Sequence, residues 1–275
     1  MKLRQYQEEA VNSVFEYFQN GNTGNPIIAL PTGTGKSVVI AEFVKRALTT
    51  YPQTRIIMLT HVKELIEQNA EKLLAVWHNA PVGIFSAGVG RKDSAMPVTF
   101  GGVQSVAKLF ERSGNLFGRI DLLIVDECHL ISPTAETTYR KVIEALKLTN
   151  PYLKVIGLSA TPYRMKNGLL TNKECGIFTD FCYDKTKPQD FVEFIESGYL
   201  STLIPKRTSQ QFNLENVSVI AGEYNQKDLE TLTSDDKLIL NCVKETIALS
   251  ENRSKWITFV SGVENCEKVS DAFNF

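Results

Sequence analysis

Residues 27–40 read Ile27-Ile-Ala-Leu-Pro-Thr-Gly-Thr-Gly-Lys-Ser-Val-Val-Ile40. An apolar run of strand length, a glycine-rich turn and the opening of a helix follow one another without a gap. The helix is predicted over Ser37–Leu48, where Ile40, Phe43, Val44 and Ala47 recur at spacings of three and four and share one face. Backbone N–H groups of a tight glycine turn at a helix N-terminus form a strong anion site. Thr32, Gly33, Thr34 and Gly35 would wrap a polyphosphate, the glycines by letting the chain come close. Lys36 would reach the outer phosphates and the Ser37 hydroxyl would ligate Mg2+. Leu30 stands where the strict Gly-x-x-x-x-Gly-Lys-Ser/Thr pattern has its first glycine, so the match is incomplete. The plainer alternative is a strand–turn–helix joint that happens to be rich in Thr and Gly.

Two further segments weigh against that alternative. Asp126-Glu-Cys-His129 ends the apolar run Leu122–Val125, and Ser159-Ala-Thr161 ends Val155–Ser159. A carboxylate leaving a strand at Asp126 would face the phosphate loop and hold magnesium, usually through water. Glu127 is placed to orient or deprotonate an attacking water. His129 could bridge the outer phosphate to neighbouring elements, and the Ser159 and Thr161 hydroxyls could pass the nucleotide state to a second domain. Taken alone, the acids would equally suit the first turn of a helix, and Ser-Ala-Thr-Pro ordinary turn chemistry.

Around these segments strands and helices alternate. Arg55–Thr60, Val98–Phe100 and Leu122–Val125 read as strands, and Val62–Trp77, Val103–Phe110 and Thr134–Leu148 as helices. The strands are continuously apolar, which suits a parallel sheet covered on both faces. Such alternation implies an α/β, doubly wound sheet with right-handed crossovers, and ligands at the strand carboxyl ends. After Pro162 the pattern weakens, and Tyr163–Lys187 is polar and irregular. A boundary near Pro205–Phe212 divides a first domain over 1–207 from a linker and the beginning of a second over 208–275. In the second part Asp235–Leu249 is predicted helical, Trp256–Val260 a strand and Val263–Phe273 a helix.

The chain has 275 residues, 43% hydrophobic and 22% charged, with formal net charge −1. These are values of a globular protein, and any nucleic-acid surface must be a local basic face. The start lacks an apolar signal-peptide core, and no run is long enough to span a bilayer. Five scattered cysteines without a CxxC pair argue for a reducing compartment and against a zinc or iron–sulfur site. The expectation is a cytoplasmic protein with no membrane partner.

The ordered segments resemble those of DExH-type superfamily II helicases and translocases, over a whole first motor domain and the start of a second. The resemblance implies a RecA-like P-loop NTPase fold, ATP and Mg2+ as cofactors, and Lys36, Asp126 and Glu127 as the catalytic set. Leu3-Arg-Gln-Tyr-Gln7 is similar to the adenine-reading Q-type motif, with Gln7 as the adenine contact and Arg4 nearby. Thr60-His-Val-Lys-Glu-Leu65 with Gln68 is similar to motif Ia, Thr99-Phe-Gly-Gly-Val-Gln-Ser105 to motif Ib, Ser159-Ala-Thr161 to motif III, and Trp256–Val260 to motif IV. By that likeness Lys63, Gly101, Gly102, Gln104 and Ser105 would hold a single nucleic-acid strand through its backbone. Arg91-Lys92 beside Gly88 and Gly90 would add a basic loop, but Lys63 reads equally well as an exposed helix lysine and Arg91-Lys92 as a solvated surface loop.

A closer likeness is to bacterial RadD-type DNA repair ATPases. It is carried by His61-Val-Lys-Glu-Leu65, Ala87-Gly88 with Arg91-Lys92, Val103-Gln-Ser-Val-Ala107, Leu123-Ile-Val-Asp-Glu-Cys-His129, Ala160-Thr-Pro162 with Arg164, and Gly198-Tyr-Leu200. It implies DNA rather than RNA, a role in repair or recombination, repair-protein partners and, in a bacterium, association with the nucleoid. One departure is that motifs V and VI, whose arginines complete the ATP cleft in that family, do not occur within residues 1–275. An arginine finger is worth on the order of a thousand-fold in turnover, so weak or no hydrolysis is expected of these residues alone. Two other readings stay open: a shortened helicase-like module that binds ATP and nucleic acid without turnover, and the motor part of a restriction-type complex.

Overall fold

The computed structural model describes residues 2–131, 137–164, 168–171, 176–220, 223–250 and 253–274. The chain forms two compact units, Met1–Ser201 and Thr202–Phe275. In the first unit, α1 (Gln5–Gln19), β1 (Pro26–Ala29), α2 (Lys36–Thr50), β2 (Ile56–Thr60), α3 (Lys63–Val76) and β3 (Val82–Ser86) come first. Then follow β4 (Arg91–Lys92), β5 (Val98–Gly102), α4 (Val103–Ser113), β6 (Leu122–Val125), α5 (Thr138–Thr149) and β7 (Lys154–Ser159). A two-residue hairpin, β8 (Tyr163–Arg164) with β9 (Gly168–Leu169), precedes β10 (Asp180–Asp184) and α6 (Pro188–Glu196).

The main sheet has the order β10-β1-β7-β6-β2-β5-β3-β4. Its neighbours pair in parallel, except for the antiparallel β3–β4 edge. Successive strand residues point to opposite faces, and both faces are covered. Ile28, Met58, Ile124 and Ile156 pack with Val11, Val39, Val44 and Leu73 of α1, α2 and α3. Ile27, Ile57, Leu123 and Val155 pack with Val106, Val142 and Leu146 of α4 and α5. That is why the strands read as unbroken apolar runs. Each side chain so buried contributes roughly 1.5–3 kcal/mol, and both layers together fix the sheet against register slip. At Gly157 in β7 an added Cβ would sit 2.7 Å from Phe178 Cε1 and 2.8 Å from Cys128 Sγ. The missing side chain is what lets the loop after Asp126 close onto the sheet.

The strand order decides the site. β1, β7 and β6 lie side by side, so the phosphate loop, Ser159 and Asp126 leave the sheet together at its carboxyl edge. β2, β5 and β3 deliver Thr60, Gly102 and Ser86 to the adjoining stretch of the same edge.

Helices expected at Ser37–Leu48, Val62–Trp77, Asp235–Leu249 and Val263–Phe273 are present within two residues at each end. The helix expected from Thr134 begins at Thr138, with Thr137 Oγ1 accepting from Arg140 N at 3.3 Å. Residues 134–136 lie outside the described ones. Three features differ. The polar stretch 163–187 holds β10, which pairs with β1 as an edge strand. It is short and acid-ended, and its Phe181–Tyr183 alternation spans too few residues to show as a pattern. The β3–β4 hairpin also had no signal long enough to read. Trp256–Val260 is not a strand: Ile257 and Phe259 are 86% and 94% exposed. A ladder needs a neighbour, and β-propensity alone does not make one.

The second unit carries the hairpin β11 (Val219–Ile220) and β12 (Glu223–Tyr224), then α7 (Gln226–Leu232), α8 (Asp236–Leu249) and α9 (Val263–Phe273). Asn265 Nδ2 joins α9 to the end of α7 by donating to Glu230 O and Thr233 Oγ1 at 2.8 and 2.9 Å. Among the described residues, no helix is long and apolar enough to cross a membrane, and no three His, Cys, Asp or Glu side chains cluster as a metal site.

Candidate functional site

The phosphate loop is held from both sides. Gly33 and Gly35 have φ of 84° and 85°, and Gly35 is the residue that caps α2. A side chain at either position would strain this left-handed backbone. Thr34 is buried; its hydroxyl donates to Pro31 O at 2.7 Å and its carbonyl accepts from Tyr6 Oη at 2.6 Å and Gln7 Nε2 at 3.0 Å. A Cβ on Gly35 would meet Gln7 Nε2 at 2.8 Å. Thr32 and Gly33 are exposed, and Ser37 is half-buried in the first turn of α2.

Across from the loop, Asp126 is 5% exposed. Its Oδ1 accepts from Glu127 N at 3.0 Å and its Oδ2 from Asn69 Nδ2 at 3.1 Å. Burial pushes its pKa up, the Asn69 bond opposes this, and the neighbouring Glu127 charge adds to the rise. A buried acid destabilised in its charged form is a good seat for a cation. Glu127 has φ 49° and ψ 47°, the one non-glycine residue at positive φ among the described residues. This conformation costs on the order of 1 kcal/mol and swings the carboxylate toward the loop. Its Oε1 lies 4.0 Å from Lys36 Nζ, which also donates to Leu30 O at 3.4 Å.

The third segment closes the chain of contacts. Ser159 Oγ accepts from Thr161 N at 2.9 Å and donates to Thr161 O at 3.0 Å. With that hydroxyl proton used, His129 Nδ1, at 2.9 Å from Ser159 Oγ, is the donor between them. The same nitrogen is 3.4 Å from Glu127 Oε2. Lys36, Glu127, His129 and Ser159 therefore form a continuous line across the ends of β1, β6 and β7.

The residues present fit ATP with Mg2+: a glycine turn opening a helix, a lysine held only by contacts of 3.4 and 4.0 Å, a hydroxyl at the helix start and a buried acid. Gln7 is buried and ties α1 to the loop, with its Oε1 accepting from Arg4 N at 3.0 Å. That leaves the Gln7 amide one further N–H and one further lone pair. Sequence reasoning missed what lies beside it. Tyr6 packs against Phe194 and Tyr199, with ring centroids 4.8 and 5.3 Å apart. The Arg4 guanidinium lies 4.6 Å from the Tyr199 ring centroid. A Cβ on Gly33 would come 3.3 Å from Leu200 Cδ2. The segment after α6 thus returns to the phosphate loop from far along the chain.

The five candidate nucleic-acid residues also converge. Lys63 opens α3 and Gly102 caps α4, around a shallow cleft of about 250 Å³ lined also by His61, Gln104, Ser105 and Lys108. Lys63 and Gln104 are exposed; Ser105 Oγ accepts from Ala87 N at 3.0 Å, fastening the β3–β4 turn to α4. Gly101 is buried just behind, where a Cβ would meet Leu59 and Val106 at 3.2 Å. Arg91 is paired with Asp93 at 2.6 Å and contributes little free positive charge.

A family model described as "Type III restriction enzyme, res subunit" (ResIII) matches residues 1–164. The chain is 27% identical over 279 residues to the "Putative mitochondrial ATP-dependent helicase irc3" of Schizosaccharomyces pombe, covering 99% of this chain and 43% of that protein. It is 22% identical over 290 residues to the Escherichia coli "Type I restriction enzyme EcoAI endonuclease subunit", covering 98% of this chain and 34% of that one. The chain therefore spans less than half the length of either relative. The crystal structure of T4 UvsW has the same fold, with a TM-score of 0.51 and 18% identity, covering 100% of this chain and 50% of that one. Matched from its first residue through the strand that carries Ser159, the chain belongs to the ResIII family and, through it, to the superfamily II helicases and translocases.

Proposed function

We propose that the chain is the first motor domain, with the opening of a second, of an ATP-dependent DNA helicase or translocase that acts in repair or recombination. The observation that supports this most is the contact line from Lys36 through Glu127 and His129 to Ser159, which joins three signatures from distant parts of the chain. The loop amides and Lys36 would hold the β- and γ-phosphates of ATP. Ser37 and Asp126 would hold Mg2+, which when bound offsets charge on the phosphate oxygens. Glu127 would take the proton of the attacking water. Arg4, Gln7 and Tyr199 would receive the adenine. Because His129 Nδ1 is shared between Glu127 and Ser159, a change of charge on Glu127 reaches Ser159 and Thr161 through one imidazole.

DNA rather than RNA, the repair role and its protein partners rest on the RadD-type resemblance, with helicase relatives in support. The nucleic-acid strand would lie across the Lys63–Gly102 cleft, held by its phosphates.

The test is equilibrium binding of a fluorescent ATP analogue with Mg2+. Lys36→Ala should weaken it at least a hundredfold, since a charge-assisted contact of about 3 kcal/mol is lost. Wild-type affinity in that variant would count heavily against the site.

The family match and the EcoAI likeness favour a second reading, the motor part of a restriction-type complex. The two differ in what stimulates hydrolysis by the whole protein. On the first reading single strands of any sequence should stimulate it, and on the second only a duplex that carries a recognition sequence.

A further inference from the structure

Asn69 lies in the middle of α3 with Ile66, Ala70 and Leu73, all buried on the face that packs on the sheet. The side chain is the one polar member of that stripe and is 2% exposed. Its Nδ2 donates to Asp126 Oδ2 at 3.1 Å, while its Oδ1 is buried without a hydrogen-bond partner. The assignment of the two amide atoms follows from the acceptor: an ionised carboxylate can only accept. An apolar residue would suit the stripe better, because an unsatisfied buried carbonyl is costly. The gain from the amide must therefore lie in what its N–H does for Asp126.

We propose that Asn69 is a positioning residue for the Asp126 carboxylate. Glu127 N fixes one carboxylate oxygen from the chain itself, and Asn69 fixes the other from a separate element. Two donors on two different oxygens define the plane of the group and leave its remaining lone pairs for a cation. Without Asn69 the carboxylate would rotate about its side-chain bond, away from the position a Mg2+-bound nucleotide requires. Lys36 and Tyr139 also lie close enough to interact with the Asp126 charge, yet the structure gives neither a hydrogen bond to it. The inference rests on the nucleotide-site reading above.

The experiment is binding of the fluorescent ATP analogue by the 275-residue chain in Mg2+ and, separately, in EDTA. Partners that orient a metal-binding group typically change metal affinity ten- to a hundredfold. Asn69→Leu and Asn69→Ser should therefore lose about tenfold of the tightening that Mg2+ gives, while affinity in EDTA stays at the wild-type value. Asn69→Gln should restore part of the loss. In an Asp126→Asn background, Asn69→Leu should add nothing further. Asn69→Ser keeps the test open if the leucine variant does not give a wild-type circular dichroism spectrum. Full Mg2+ tightening in the folded variants would overturn the proposal, as would equal weakening in both buffers, which is the mark of a packing role. A wild-type chain that binds the analogue equally well with and without Mg2+ would overturn it too, yet leave the phosphate loop standing. A wild-type chain that binds no nucleotide in either buffer would remove the nucleotide-site reading itself, and this inference with it.

Discussion

The carboxyl edge of the sheet carries two candidate sites built on opposite plans. Over β1, β7 and β6 the candidate groups are interlocked and several are buried: Asp126 has both oxygens bonded, Glu127 is held at positive φ, and Gln7 is wedged against Gly35. Over β2, β5 and β3 they are exposed lysines, a glycine and the free amides of a helix start around a shallow cleft. A reaction centre needs groups fixed to within a fraction of an ångström. A surface that grips a repeating backbone needs charge and access more than fixed geometry. The contrast predicts that substitutions on the first side act all-or-none, and on the second side by degrees.

The largest effect expected is the one already given for Lys36→Ala. It would sharpen the contrast further if binding of a labelled oligothymidylate stayed unchanged in that variant. On the other side, Lys63→Ala should weaken oligothymidylate binding only about five-fold, roughly 1 kcal/mol, and lower the salt dependence by about one contact's worth, near 0.7 in the log–log slope. The two neighbouring glycines separate packing from access. An alanine Cβ at Gly102 finds its nearest atoms at 3.5 Å, whereas at Gly101 it meets Leu59 and Val106 at 3.2 Å. Gly102→Ala should keep the wild-type melting temperature and lose several-fold in strand affinity, as a methyl intrudes on the cleft. If Gly102→Ala binds as wild type, the strand does not pass there.

A smaller effect tests the strain on the first side. Glu127→Gly removes the cost of left-handed backbone, so the apo protein should gain about 1 kcal/mol, some 2–4 °C in melting temperature. Glu127→Gln keeps the strained backbone and should gain nothing. Both should lose hydrolysis in the complete enzyme. Equal melting temperatures for the two variants would mean that the backbone there is not strained.

What could be read from the chain beforehand follows the same division. Lys36, Asp126 and Ser159 were legible because a glycine turn or an acid directly after an apolar run has a local cause. Asn69 was equally local, a polar residue in the stripe Ile66, Asn69, Ala70, Leu73, and the periodicity marks it once polar exceptions are counted. Tyr199 and Leu200 were not legible as neighbours of the phosphate loop. They reach it only because Phe194 of α6 packs on Tyr6, a contact between segments nearly the whole unit apart. β10 was hidden for a related reason: an edge strand of five residues takes its structure from β1, not from its own pattern. Trp256–Val260 shows the converse, with strand-forming residues and no strand beside them.

The finest test falls on Asp126. In the folded chain its pKa is raised, chiefly by burial. A raised carboxyl pKa means that folding favours the protonated form. The associated stability is fully present below the unfolded value and is lost as pH rises through the folded one. At neutral pH the ionised group thus works against the apo fold. Asp126→Asn removes that charge. Its new amide N–H₂ can donate to Asn69 Oδ1, now without a partner, once the Asn69 amide turns over, while its carbonyl keeps the bond from Glu127 N. The variant should therefore melt higher than wild type, because the buried charge is gone while the bond between residues 69 and 126 is kept with its direction reversed. The gap should widen as pH rises from the ordinary aspartate range toward neutrality, and should close when Mg2+ and nucleotide are added to the wild type. A variant that melts lower than wild type at every pH would show that the carboxylate stabilises the fold, and would move the reason for its burial from catalysis to structure.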